Sequence, residues 1–211
     1  MLLKKQLLGS CKLYLVLDRE VCDYQKLLKI AAQALKGGVD IVQLRDKKGM
    51  AKDVLEFSRQ LRKIVQGKIP YIINDRVDLA LAAGASGVHL GQEDLSVALA
   101  RSILGKKAII GVSCQTKEAV LQAQRARADY IGFGSVFKTL TKPHRQPMDL
   151  NLLADVYHSS KIPLFAIGGI GLNNISVLKG KGINHVAICR NICLAKDILK
   201  TTFQLKNILL S

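Results

Sequence analysis

Short aliphatic runs alternate with segments whose apolar residues recur at helical spacing along almost the whole chain. The runs predict eight β-strands, over residues 13–17, 39–44, 71–73, 87–90, 108–112, 130–133, 164–167 and 185–188. Between them the spacing predicts helices. Residues 24–35 carry Leu27, Leu28, Ala31, Ala34 and Leu35 on one stripe, which stops at Gly37-Gly38. Residues 54–65 repeat the pattern through Leu55, Phe57, Leu61 and Val65. Shorter segments at 77–83 and 95–104 end at Gly84 and Gly105, and Thr116 stands where it would cap a helix over 117–126. Segments at 150–157, 174–178 and 194–205 complete the series. Strict alternation of strand and helix predicts a parallel sheet covered by helices, an α/β architecture. Eight units in 211 residues favour a closed sheet, because closure gives every strand two neighbours. No Pro/Ser-rich linker or composition break interrupts the series. The expectation is a single-domain (β/α)8 TIM barrel over residues 1–211.

In such a barrel, chemistry sits where strands end and loops begin. The polar residues fall there: Gln43, Arg45 and Lys47 at strand two, Asn74-Asp75-Arg76 after strand three, and Gly91-Gln92-Glu93-Asp94 after strand four. Ser113 follows strand five, residues 135–142 strand six, Gly168-Gly169 strand seven, and Cys189-Arg190 strand eight. Strand two carries the sharpest signal. A strand alternates its faces with period two, so Gln43, Arg45 and Lys47 project the same way. Two unpaired cations inside a fold cost several kcal/mol per ion. Either carboxylates of this chain answer them, or an anionic ligand does.

Composition narrows the choice of partner. The chain is 49% hydrophobic and 23% charged, the balance of a soluble globular protein, and has no apolar run long enough to cross a bilayer. Met1 to Gln6 starts basic but lacks the apolar core of a signal peptide, so no membrane partner and a cytoplasmic address are expected. Cys11, Cys22, Cys114, Cys189 and Cys193 form no paired CxxC set, and the odd count reads as free thiols in a reducing compartment. A net charge of +16 raises the question of nucleic acid. Against that stand the absence of tryptophan and the lack of any long basic run. Lys26, Lys29, Lys36, Lys52 and Lys63 are spread over helix exteriors. Small phosphorylated ligands, and no nucleic acid, are the expectation.

At this point the motifs, taken together and in order, resemble those of the thiamine phosphate synthases. The residues that carry the resemblance are Gln43-Leu44-Arg45-Asp46-Lys47, Ile73-Asn74-Asp75-Arg76 and Gly87-Val88-His89-Leu90-Gly91-Gln92-Glu93-Asp94. Gly111-Val112-Ser113, the stretch from Gly132 to Lys142, and Ala166-Ile167-Gly168-Gly169-Ile170 continue it, so that it spans residues 13–192. The resemblance implies a barrel enzyme that joins an aminopyrimidine diphosphate to a thiazole phosphate, giving thiamine phosphate and pyrophosphate. It implies Mg²⁺ as cofactor with Asp75 and Asp94 as ligands, and Arg45, Lys47, Ser113 and Lys142 as the catalytic set. It further implies substrate contacts from Gln43, Leu44, Asp46 and Asn74 on the pyrimidine side. On the thiazole side it implies Thr139, Leu140, Thr141, Gly169, Cys189 and Arg190.

Other readings of the same residues stay open. Arg45 and Asp75 would also suit an internal ion pair, Asp94 a helix cap before Leu95, and His89 a satisfied interior histidine. The pattern departs from the family at Gln115, where relatives usually carry histidine, and at Ser135 and Lys138, where many carry proline. It departs again at Arg190, where a small residue is typical; arginine there grips a phosphate or fills the pocket. The competing functions are a thiazole tautomerase and a non-catalytic paralogue that binds phosphorylated ligands. The tautomerases rely on a strand-five histidine, and Gln115 does not titrate. A homo-oligomer is compatible with all of these.

Overall fold

The computed structural model describes residues 2–140 and 146–211. Eight parallel strands close into a barrel in chain order, each paired with its sequence neighbours and β8 returning to β1. The strands are β1 (Leu13–Asp18), β2 (Ile41–Arg45), β3 (Tyr71–Asn74), β4 (Gly87–Leu90), β5 (Ile109–Cys114), β6 (Tyr130–Phe133), β7 (Leu164–Ile167) and β8 (Val186–Ile188). The helices are α1 (Leu2–Ser10), α2 (Tyr24–Lys36), α3 (Ala51–Val65), α4 (Val77–Ala82) and α5 (Val97–Leu104). They continue with α6 (Lys117–Arg125), α7 (Leu150–Ser159), α8 (Ile175–Gly180), α9 (Arg190–Cys193) and α10 (Ile198–Leu210). The (β/α)8 barrel expected from the alternation is therefore the fold.

Both faces of every strand are covered, and the two faces form separate apolar clusters. Leu13, Leu15, Leu17, Val42, Leu44, Ile73, Val88, Ile110, Ile131 and Val186 point outward and pack against the helices. Tyr14, Val16, Ile41, Ile72, Ile109, Tyr130, Phe165 and Ala187 point inward and fill the barrel. This is why the strands read as aliphatic runs rather than as strict polar–apolar alternation.

Three elements differ from the sequence expectation. The chain opens with α1, which the pattern did not announce; its Leu8 is fully buried in the inner cluster and closes the barrel floor. Helix α5 starts later than residue 95: Ser96 caps it by accepting from the Leu99 N–H at 3.3 Å, so Asp94 is not its cap. The expected helix over 194–205 starts late: residues 194–197 are not helical, and α10 begins at Ile198, where Asp197 caps it by accepting from the Lys200 N–H at 2.9 Å; the short α9 lies before that range. Elsewhere the capping reading holds, with Thr116 accepting from Ala119 N–H.

Among the described residues no helix is long and apolar enough to cross a membrane. All five cysteines are free thiols. Burial pushes Cys11 and Cys114 up to about 12, which leaves them protonated and unreactive.

Candidate active site

A cavity of about 850 Å³ opens at the C-terminal end of the strands. Strand alternation decides which predicted residues reach it. On β2, Gln43 and Arg45 face the cavity, while Leu44 between them is 1% exposed and packs outward on the helices. The Leu44 side chain is therefore turned away from any ligand, a correction that follows from period two. Asp46 also turns outward. It accepts from the Tyr24 hydroxyl at 2.6 Å and from the N–H groups of Lys48 and Gly49, holding the loop after β2.

The two cations of strand two have carboxylate partners within the chain. Arg45 Nη1 donates to Asp18 at 2.8 Å and to Glu20 at 3.0 Å; Asp18 stands opposite it on β1. Asp18 is almost wholly buried, so the guanidinium is what makes its charge tolerable. The internal pair expected between Arg45 and Asp75 is thus distributed differently: Arg45 takes Asp18 and Glu20, and Lys47 lies 3.5 Å from Asp75. Arg45 spends only Nη1 on these acids, and its Nε and Nη2 have no partner among the described residues. Lys47 is half exposed and reaches the loop rim.

Asp75 and Asp94 come together beside Lys47. Asp75 sits at φ 60°, held there by its N–H, which donates to the His89 carbonyl at 2.8 Å. Burial pushes its carboxyl above the usual range, and the neighbouring Asp94 carboxyl pushes the same way, opposed by Lys47. Asp94 accepts from the Gly91 N–H at 2.6 Å, which pins it across the loop. No cluster of three metal-ligating side chains occurs among the described residues. Two adjacent carboxylates suit Mg²⁺ all the same, since that ion keeps several waters and fills its remaining positions with phosphate oxygens.

Deeper in the cavity, Asn74 accepts from Gln43 Nε2 at 2.6 Å, and Ser113 lies 2.9 Å from His89 Nε2. His89 also touches Tyr130, as a hydrogen-bonded interior histidine. On the opposite wall the loops after β6 and β7 interlock. The Phe137 N–H donates to Gly168 O at 2.9 Å, and a Cβ on Gly169 would lie 2.5 Å from Lys138 O. Gly168 and Gly169 both adopt positive φ, so only glycine lets these loops approach so closely. Thr139, Leu140, Cys189 and Arg190 line this wall; Leu140 is exposed and Arg190 half-buried. Neither Lys138 nor Arg190 has an ion-pair partner among the described residues. Thr141 and Lys142 lie outside the described residues.

The family model described as thiamine monophosphate synthase matches residues 13–192. The chain belongs to the thiamine phosphate synthase family. It is 40% identical to the thiamine-phosphate synthase of Clostridium tetani, over 93% of this chain and 94% of that protein. It is 43% identical to that of Clostridium acetobutylicum, over 89% of each. The solved structure of thiamine phosphate pyrophosphorylase from Pyrococcus furiosus superposes with a TM-score of 0.86 at 33% identity, covering 99% of this chain and 98% of that one. A 3-hexulose-6-phosphate synthase superposes at 0.73 but with 16% identity, which speaks for the barrel alone. These synthase relatives are transferases, in keeping with a cavity built from donors and cations.

Sequence reasoning missed Asp18, Glu20, Tyr14 and Tyr130, all of which shape this cavity or hold its residues. Asp18 closes β1 at the level where Arg45 closes β2, a match that only the register of the two strands reveals. The tyrosines carried none, because an inward aromatic on a buried strand reads as core.

Proposed function

We propose that the protein joins an aminopyrimidine carrying a diphosphate on its methylene to a thiazole phosphate, releasing pyrophosphate. The C–O bond to the diphosphate breaks first, and its electron pair leaves with the diphosphate. The pyrimidine ring delocalises the resulting cation. The thiazole nitrogen then supplies its lone pair, and the new C–N bond leaves a thiazolium. No proton moves in either step, so the protein's task is to stabilise charge on the departing diphosphate rather than to supply a base.

Arg45, through the Nε and Nη2 it does not spend on Asp18 and Glu20, together with Lys47, Ser113 and Lys142, would face that diphosphate, and Gln43 and Asn74 would hold the pyrimidine beneath it. Mg²⁺, held by Asp75 and Asp94, would neutralise the diphosphate oxygens. Thr139, Thr141, the Gly169 backbone and Arg190 would receive the thiazole phosphate, with Arg190 gripping it. One observation supports this reading above others: the adjacent Asp75 and Asp94 carboxylates stand beside Lys47 at one side of the mouth, while Lys138 and Arg190, without an ion-pair partner among the described residues, stand on another wall. Such an arrangement suits a metal-bound diphosphate on one side and a bare phosphate on the other. The test is purified protein with both substrates, following pyrophosphate release with and without Mg²⁺. Mg²⁺-dependent release is expected. No release from folded protein would favour a paralogue that only binds phosphorylated ligands.

A further inference from the structure

One run of hydrogen bonds crosses the cavity floor and takes one side chain from each of six consecutive strands. Gln43 Nε2 donates to Asn74 Oδ1 at 2.6 Å, and the Tyr14 hydroxyl donates to Gln43 Oε1 at 2.7 Å. The Tyr14 and Tyr130 hydroxyls lie 2.8 Å apart. Tyr130 lies 3.0 Å from His89 Nδ1, and His89 Nε2 lies 2.9 Å from Ser113 Oγ. The fold makes room for this run. Phe165 stacks edge-on against both tyrosine rings, with centroids 5.4 and 5.7 Å away, and fixes their planes. Gly111 has no Cβ where one would strike the Tyr130 ring, and a Cβ on Gly132 would press His89 at 3.1 Å.

The run has a direction. Burial keeps both phenols protonated, and each has a single proton to place. Tyr14 gives its proton to Gln43, so its oxygen accepts from Tyr130. Tyr130 is then committed, and its oxygen accepts from His89 Nδ1–H. A neutral imidazole protonated on Nδ1 keeps a lone pair on Nε2, which accepts from the Ser113 hydroxyl. What remains for a ligand follows. Asn74 and Gln43 have amide N–H groups left over, and Ser113 has only lone pairs.

We propose that Tyr14 and Tyr130 are positioning residues that set the hydrogen-bond polarity of the floor, giving donors at β2 and β3 and an acceptor at β5. That is the complement of a flat heteroaromatic ring with acceptor nitrogens toward one side and an exocyclic amine toward the other. The proposal rests on the reading of this pocket as the aminopyrimidine site and adds the means by which ring orientation is read. Neither tyrosine touches the reacting atoms. Without them the Gln43 amide keeps only its bond to Asn74, whose own amide can turn together with it, and the two edges of the ligand ring lose their distinction.

NMR of labelled histidine nitrogens in the ligand-free protein tests the polarity without any turnover. His89 is expected as the Nδ1–H tautomer, and Tyr14→Phe is expected to shift it toward Nε2–H although Tyr14 does not bond His89. An Nε2–H tautomer in the parent, or no change in the variant, would overturn the proposal. Tyr130→Phe, which removes the acceptor of His89 directly, gives the same test should Tyr14→Phe not fold. Calorimetry with the pyrimidine diphosphate supplies the second arm. Tyr14→Phe should weaken binding about five- to tenfold. Its effect should be non-additive with that of Ser113→Ala, although the two residues share no contact. Strict additivity would count against a relay. A protein that forms no thiamine phosphate yet shows the tautomer and its loss would defeat the catalytic reading and still support the relay.

Discussion

The two ends of the barrel treat their charges in opposite ways. At the lower rim, Asp40 accepts from the N–H groups of Lys12 and Leu13 at 2.7 and 2.9 Å and from Lys206 at 2.5 Å. Asp129 there accepts from the Ile110 N–H at 2.8 Å, from Arg101 at 2.6 Å and from Lys4. Every carboxylate of that pair is surrounded by donors, and each ties a helix to a strand start. At the mouth the accounts do not balance. Asp18 and Glu20 share one guanidinium, Asp75 and Asp94 press like charges together, and Lys138 and Arg190 go unanswered among the described residues. A rim whose charges are satisfied contributes stability alone, and a rim that leaves them unsatisfied is prepared for ligands that bring the missing charges.

The largest effect that would sharpen this contrast is expected from Asp94→Ala. Asp94 is held by the Gly91 N–H in an exposed loop and otherwise meets Asp75, so the fold should survive with little change in melting temperature. Pyrophosphate release should fall by about a hundredfold or more, because the diphosphate would lose its counter-ion. Rates like those of the parent would show that this carboxylate holds no metal.

Next in size is a matched pair of truncations. Arg45→Ala leaves the Asp18 carboxylate, 1% exposed, without its cation, and should cost about 3 kcal/mol in stability as well as activity. Asp129→Ala at the lower rim strands the Ile110 N–H and should cost about 2 kcal/mol, with turnover per folded molecule unchanged. Denaturant melts combined with kcat separate the two. Equal activity losses in both variants would erase the functional difference between the rims. A smaller effect is expected at the acceptor wall, where Arg190→Ala should raise KM for the thiazole phosphate about tenfold and leave KM for the pyrimidine substrate alone.

How much of this was legible in the sequence follows from which interactions are local. Strands and most helices announced themselves, because period and caps are written within ten residues, as at Thr116 and Gly37-Gly38. The inward direction of Gln43 and Arg45 was readable from alternation, and the same rule should have turned Leu44 outward. Partners were not legible. Arg45 meets Asp18 only because β1 and β2 pair in one particular register, and no spacing along the chain encodes that. Helix α1 escaped because its role depends on one residue, Leu8, finding a barrel floor formed by distant strands. The floor relay depends on six strands at once.

The subtlest consequence concerns Asp75 in the absence of Mg²⁺. Burial, and then Asp94, hold its folded pKa above the usual aspartate range, so between the two values the folded state binds more protons than the unfolded one. Stability contributed by this group is therefore greatest at low pH, falls as pH rises through the raised value, and is flat above it. Asp94→Asn removes the like charge and keeps the shape of the side chain. Without Mg²⁺ the variant should be more stable than the parent at neutral pH, by about 0.5 kcal/mol, with the difference shrinking in acid. Added Mg²⁺ should stabilise the parent through its two carboxylates and the variant far less, so that the order of the two melts reverses. A variant no more stable than the parent in metal-free buffer would mean that Asp75 and Asp94 do not share a field. The mouth would then be as well satisfied as the lower rim.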